Sequence, residues 1–89
     1  MKISSLFDDP DLRSRIHRAE IDAIERLGRL TPTQSRVLHH MVTGIPNKLI
    51  AHELGLSMRT VENHRLQIME RVGTKNMLAL ARLVVVAGL

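Results

Sequence analysis

The sequence predicts an all-α domain, and three observations carry that expectation. Only one of the 89 residues, Phe7, is aromatic, whereas strands and base-stacking sheets draw on Phe, Tyr and Trp. The chain is rich in Leu, Ala, Met, Arg and Glu, the strongest helix formers. Apolar positions recur at helical spacing, and the five glycines stand where helices should stop.

The elements follow in order. The opening to Pro10 is polar and irregular. From Asp11, the positions Leu12, Ile16, Ala19, Ala23 and Leu27 form a narrow apolar stripe closed by Gly28. This helix suits either packing on the domain or service as a linker or short dimerising helix. Thr31-Pro32-Thr33-Gln34 is a start signal: Thr31 caps, Pro32 fits the first helical position, and Gln34 completes a capping box. Val37, Leu38, Met41 and Val42 mark the buried face of this second helix, which Gly44 ends. Pro46-Asn47 opens a short third helix with Leu49, Ile50 and Leu54 apolar. Gly55-Leu56-Ser57 is then a compact turn in which glycine supplies a left-handed corner, leucine plugs the core and serine caps the next helix. The fourth helix runs to Val72 and stops at Gly73, about 24 Å at about 1.5 Å per residue. Val61, Ile68, Met69 and Val72 make its buried stripe. A last helix starts near Asn76; its positions Met77, Leu80, Ala81, Val84 and Val85 lie among further apolar residues with almost no polar face, which predicts an interface with a second copy.

Composition excludes several classes. The chain is too short for a two-domain enzyme. With no cysteine there is neither a disulfide framework nor a thiolate metal site. The longest apolar run, 83–89, is far below a membrane span, and Asp8, Asp9 and Asp11 interrupt the place of a secretory core. The expected location is therefore the cytoplasm. Residues 1–30 carry six basic and six acidic residues, whereas 31–89 carry seven basic against three acidic, so the whole net charge of +4 belongs to the second part. A positive excess confined to one compact unit suits a polyanion.

Catalytic and metal motifs fail on inspection. His52-Glu53 opens a zinc-protease pattern, but its second histidine would stand where Leu56 is. Gly55-Leu56-Ser57-Met58-Arg59 lacks the closing glycine of a nucleophile elbow. His39 and His40 leave one helix on different faces, and His17 and His64 have no ligand at helical spacing. No enzyme activity, cofactor or metal is expected.

The pattern resembles the LuxR/GerE-type helix-turn-helix, and most of all the C-terminal effector domain of FixJ-type response regulators. The resemblance covers residues 30–83 and rests on Leu30-Thr31-Pro32, Gly44, Asn47-Lys48, Ile50-Ala51, Leu54-Gly55, Ser57, Thr60-Val61, His64, Ile68-Met69 and Gly73 at family spacing. It implies a four-helix domain, here 30–89, whose third helix enters the major groove of double-stranded DNA and whose fourth pairs two subunits. Residues 1–29 then form an N-terminal polar segment and a linker or dimerising helix. Gln34 stands where most relatives carry an acidic residue, Ser35 where a charged one is usual, and Pro46 where serine often caps. Capping through Gln34 is expected to replace a structural ion pair of the family.

The resemblance implies phosphate contacts for Lys48 and Thr60, with Arg65, Arg71, Lys75 and His64 as further phosphate candidates. The groove-facing set is Arg59, Glu62, Asn63, Leu66 and Gln67. Among these, Asn63 or Gln67 suits an adenine edge, Glu62 a cytosine amine and Leu66 a thymine methyl. The implied function is a dimeric bacterial transcriptional regulator, cytoplasmic and associated with the nucleoid. The alternative is an interaction module that sequesters another regulator through its apolar last helix, or holds a partner regulator on its first. No phospho-receiver region is recognisable; Met1 at the head suggests a stand-alone regulator, with a fragment of a receiver-containing protein as the other reading.

Overall fold

A computed structural model describes residues 8–89; the opening segment before Asp8, including Phe7, lies outside the described residues. Five helices and no strands are present among those residues: α1 (Pro10–Leu27), α2 (Pro32–Val42), α3 (Asn47–Leu54), α4 (Met58–Val72) and α5 (Met77–Val86). The all-α expectation holds, with α2–α5 as the four-helix unit and α1 as the additional helix before it.

Each start and stop has a local cause. The Asp9 carboxylate accepts from the backbone N–H groups of Asp11 and Leu12, and Pro10 follows it at the first helical position. The capping box at α2 is complete: Thr31 Oγ1 accepts from the Gln34 N–H at 3.2 Å, and Gln34 Oε1 accepts from the Thr31 N–H at 3.1 Å. Pro46 precedes α3 without a side-chain cap, its fixed φ serving instead. Ser57 Oγ accepts from the Thr60 N–H at 3.0 Å, and Asn76 Oδ1 accepts from Ala79 at 2.8 Å. Gly55, at φ 66° and ψ 33°, makes the left-handed corner of the turn between α3 and α4. Leu56 packs beside the core there, as the sequence predicts.

One core serves all five helices. Val37, Leu38 and Met41 of α2, Ile50 and Ala51 of α3, Val61, Ile68 and Val72 of α4, Leu80 and Val84 of α5, and Leu27 of α1 form a single buried cluster. Ala23 is buried as well, whereas Ala19 is exposed and Leu12 and Ile16 are half-buried. Only the last turns of α1 therefore dock fully, and the molecule measures 48 × 23 × 20 Å.

The last helix turns part of its expected interface inward. Leu80 is fully buried and Val84 only 8% exposed, so these two expected interface residues belong to the chain's own core. Met77 and Ala81 are half-buried. The surface that remains for a partner on α5 is the groove of Leu78, Ala81, Arg82, Val85 and Val86, in which Leu78 is 64% and Val85 75% exposed.

Candidate nucleic-acid interface

The α3-turn-α4 unit presents α4 edge-on to solvent. Val61, Ile68 and Val72 hold its inner face in the core, and the helical period then throws Arg59, Glu62, Asn63, Leu66 and Gln67 outward, where all five are exposed. Leu66, 70% exposed, is an apolar side chain held in water amid charged neighbours. Lys48 is exposed at the start of α3, and Lys75 is exposed just beyond α4. Thr60, His64 and Arg65 are half-buried along the flanks of α4. Thr60 Oγ1 lies 2.8 Å from Ser57 Oγ, so the cap and this hydroxyl share a hydrogen bond.

His64 has a buried Nδ1 with no hydrogen-bond partner among the described residues. An unpaired donor there would cost more than an unpaired ring lone pair, which favours the tautomer carrying its proton on Nε2.

Arg71, expected at phosphate, is exposed but engaged with the segment that follows α1. Its Nη1 donates to the Arg29 carbonyl at 3.4 Å while Arg29 Nη1 donates to the Arg71 carbonyl at 3.2 Å. Next to this pair, Arg26 Nε donates to the Val72 carbonyl at 2.7 Å and its Nη2 to the Gly73 carbonyl at 2.8 Å. Two arginines near the end of α1 thus satisfy the carbonyls that the end of α4 leaves without helical partners, and place positive charge at the negative pole of that helix. No spacing rule links residues 46 positions apart, so this latch is invisible in the sequence.

A second unforeseen contact joins α2 to α3. His40 Nδ1 lies 2.7 Å from the Arg36 carbonyl and Nε2 lies 2.6 Å from Glu53 Oε2. Both ring nitrogens face acceptors, an arrangement satisfied in full only by the imidazolium. The His39 ring stands edge-on 5.9 Å away. The pKa of His40 is raised above 6.5, first by the bond to the Arg36 carbonyl; partial burial opposes the rise, and the hydrogen bond and charge of Glu53 add to it. A raised folded-state pKa means that this contribution to stability is fully present below about pH 6.5 and lost as pH climbs through the folded value. The melting temperature should therefore fall as pH rises from about 6 to about 8, and Glu53→Gln should shrink that fall. Identical pH slopes in the two proteins would remove Glu53 as a contributor, and an unchanged slope in His40→Gln would remove His40 as the cause. Among the described residues no group of three or more His, Cys, Asp or Glu is placed to hold a metal ion.

The fold and the outward face of α4 define a helix-turn-helix domain, and comparison with known proteins places the chain more closely. The family model described as "Bacterial regulatory proteins, luxR family" matches residues 28–84. The chain belongs to this family. It is 39% identical over 67 residues to the transcriptional regulatory protein FixJ of Rhizobium meliloti (strain 1021), covering 75% of this chain and 33% of that protein. It is 42% identical over 50 residues to the C4-dicarboxylate transport transcriptional regulatory protein DctR of Rhodobacter capsulatus, covering 56% of this chain and 25% of that one. A crystal structure of full-length FixJ from B. japonicum superposes with a TM-score of 0.79 at 30% identity, over 85% of this chain and 37% of that one. The chain thus spans about a third of the length of the FixJ proteins that it matches.

Proposed function

We propose that the chain is a sequence-specific, double-stranded DNA-binding transcriptional regulator that lays α4 in the major groove and works as a homodimer. The observation that carries this reading is the division of α4: an inner face fully buried in the core, and an outer face of Arg59, Glu62, Asn63 and Leu66 with no side-chain hydrogen bond among the described residues. A helix supported from behind and free in front has the shape that the major groove admits. Lys48, Thr60, His64, Arg65, Arg71 and Lys75 flank that face and supply the phosphate contacts that set register. Such a role puts the protein at the bacterial nucleoid. No helix among the described residues is long and apolar enough to cross a membrane.

The homodimer is assigned to the exposed part of α5, where Leu78, Ala81, Val85 and Val86 would meet their copies about a two-fold axis. Two recognition helices then address half-sites about one helical turn apart. The same apolar face also suits another regulator, and this supports sequestration as the second reading; Ile21 and Ile24, exposed on α1, offer a partner a second foothold.

A salt-dependent binding titration on genomic fragments separates the two. Asn63→Ala should cost about 1–3 kcal/mol and relax base choice at one position, whereas Lys48→Ala should weaken all duplexes alike and lower the salt slope by about one. If the wild-type chain binds no duplex at low salt, the DNA reading falls and the interaction module stands.

A further inference from the structure

Gln34 is a polar side chain only 2% exposed, and its amide is bonded at both ends. The Thr31 backbone N–H donates to Gln34 Oε1 at 3.1 Å, and Gln34 Nε2 donates to Gln67 Oε1 at 3.0 Å. The direction of this chain is fixed by chemistry. A backbone N–H can only donate, so the Gln34 atom that faces it is the carbonyl oxygen. The other end of that amide is the NH2, which also can only donate, so the Gln67 atom that faces it is the carbonyl oxygen too. The amide of Gln67 is thereby turned: its oxygen points back to the buried relay, and its NH2 is the end left for a ligand on the exposed flank of α4.

We propose that Gln34 makes Gln67 a hydrogen-bond donor in its contact with DNA. A glutamine pairs with adenine through both ends of its amide, one to N6 and one to N7. With Oε1 turned inward to Gln34, the end of the Gln67 amide that faces outward is its NH2, which suits guanine O6 or N7, thymine O4, or a phosphate oxygen. The expectation that Gln67 shares an adenine edge is replaced by this one, and Asn63 remains the adenine candidate. Gln34 itself touches no DNA; it is a positioning residue, and the polarity it sets is a specificity determinant one residue removed from the groove. The inference rests on the DNA-binding reading above.

Gln34→Glu tests it. A carboxylate accepts at both ends, so it keeps the bond from Thr31 but receives, rather than gives, the bond at Gln67. Gln67 must then turn its NH2 inward and present its oxygen. The full chain and the Q34E variant would each be used to select duplexes from a randomised library, with folding checked by thermal melting. A base contact predicts that the motif is kept except at one position, where preference moves from a base offering an acceptor to one offering a donor, cytosine N4 or adenine N6. A phosphate contact predicts an unchanged motif, with every duplex bound about tenfold more weakly. An unchanged motif bound with wild-type affinity by a folded variant would overturn the proposal.

Gln67→Glu, at the exposed end, covers the case in which Q34E does not fold. It accepts from Gln34 and shows an oxygen outward; because its charge weakens every duplex by repulsion, only the motif is read, a shift at one position towards a base donor supporting direct base reading by Gln67 and an unchanged motif overturning it. A wild-type chain that enriches no motif overturns the proposed function instead. The relay is then read in the free protein, where the Gln34 NH2 protons should exchange slowly with solvent and those of Gln67 fast; equal, fast exchange at both would remove the relay.

Discussion

Replacing Leu80 by alanine is expected to cost the folded chain about 2–5 kcal/mol, while Val85→Asp on the same helix should leave the fold intact and abolish pairing of two copies. The contrast comes from burial. Leu80 is fully enclosed among Val37, Ile68, Val72 and the rest of the core cluster, so its truncation removes contacts and leaves a cavity that close-packed neighbours refill only in part. Val85 is 75% exposed and loses almost nothing when the chain stands alone. For a domain this small, each kcal/mol moves the melting temperature by about 4–8 °C, so Leu80→Ala should melt far below wild type at every protein concentration. Sedimentation equilibrium supplies the other half: if α5 pairs two copies as proposed, the wild type sediments as a dimer and Val85→Asp as a monomer. A wild-type melting curve for Leu80→Ala would contradict the assignment of Leu80 to the core.

Helix signals that act over one turn were legible in the sequence. Thr31, Pro32 and Gln34, the Gly55 corner, the Ser57 cap and the Gly73 stop are local devices, and each works in the structure as its residue type dictates. The direction of α5 was not legible in this way. An amphipathic helix declares its inner face through the polar face opposite, and α5 has only Arg82 to do so; choosing Leu80 and Val84 over Leu78 and Val85 as the interior requires the positions of α1, α2 and α4. The stripe along α1 was misleading for a related reason. Leu12, Ile16 and Ala19 continue the period of Ala23 and Leu27, but only the last turns of that helix find a full surface to bury against.

Polar contacts between helices lie beyond periodicity altogether. Gln34 meets Gln67, His40 meets Glu53, and Arg26 meets Val72 because the packed core brings those helices side by side. Of the candidate interface, the outward set on α4 could be read from spacing, since the opposite stripe was apolar. Which of its atoms are free to bind could not, because that depends on partners 33 residues away in the case of Gln67.

Arg26→Ala is expected to lower stability by about 1.5–3 kcal/mol and to weaken DNA binding without altering any residue that would touch DNA. The Arg26 side chain is 23% exposed, and its guanidinium donates to two carbonyls at the end of α4, at 2.7 and 2.8 Å, while its remaining nitrogen meets the Asp22 carboxylate at 3.4 Å. The bond to Asp22 lies along one face of α1 and contributes little, as exposed pairs of this spacing do. The bonds to α4 are different in kind. They supply donors that the end of a helix cannot find within itself, and they are charge-assisted. Without them, the last turn of α4 keeps its own helical bonds, the closing bonds from Gly73 and Thr74 to the Met69 carbonyl, and the longer bond from Arg29 to the Arg71 carbonyl. Amide exchange over residues 70–73 should then quicken ahead of the rest of α4, and affinity for duplex DNA should fall as the far end of the proposed recognition helix frays. Arg26→Lys should recover part of the loss, since an ammonium reaches one carbonyl as a point charge but cannot span both in a planar fork. Exchange in Arg26→Ala that quickens uniformly over the chain, or not at all, would mean that α1 rests on the domain without holding its recognition helix.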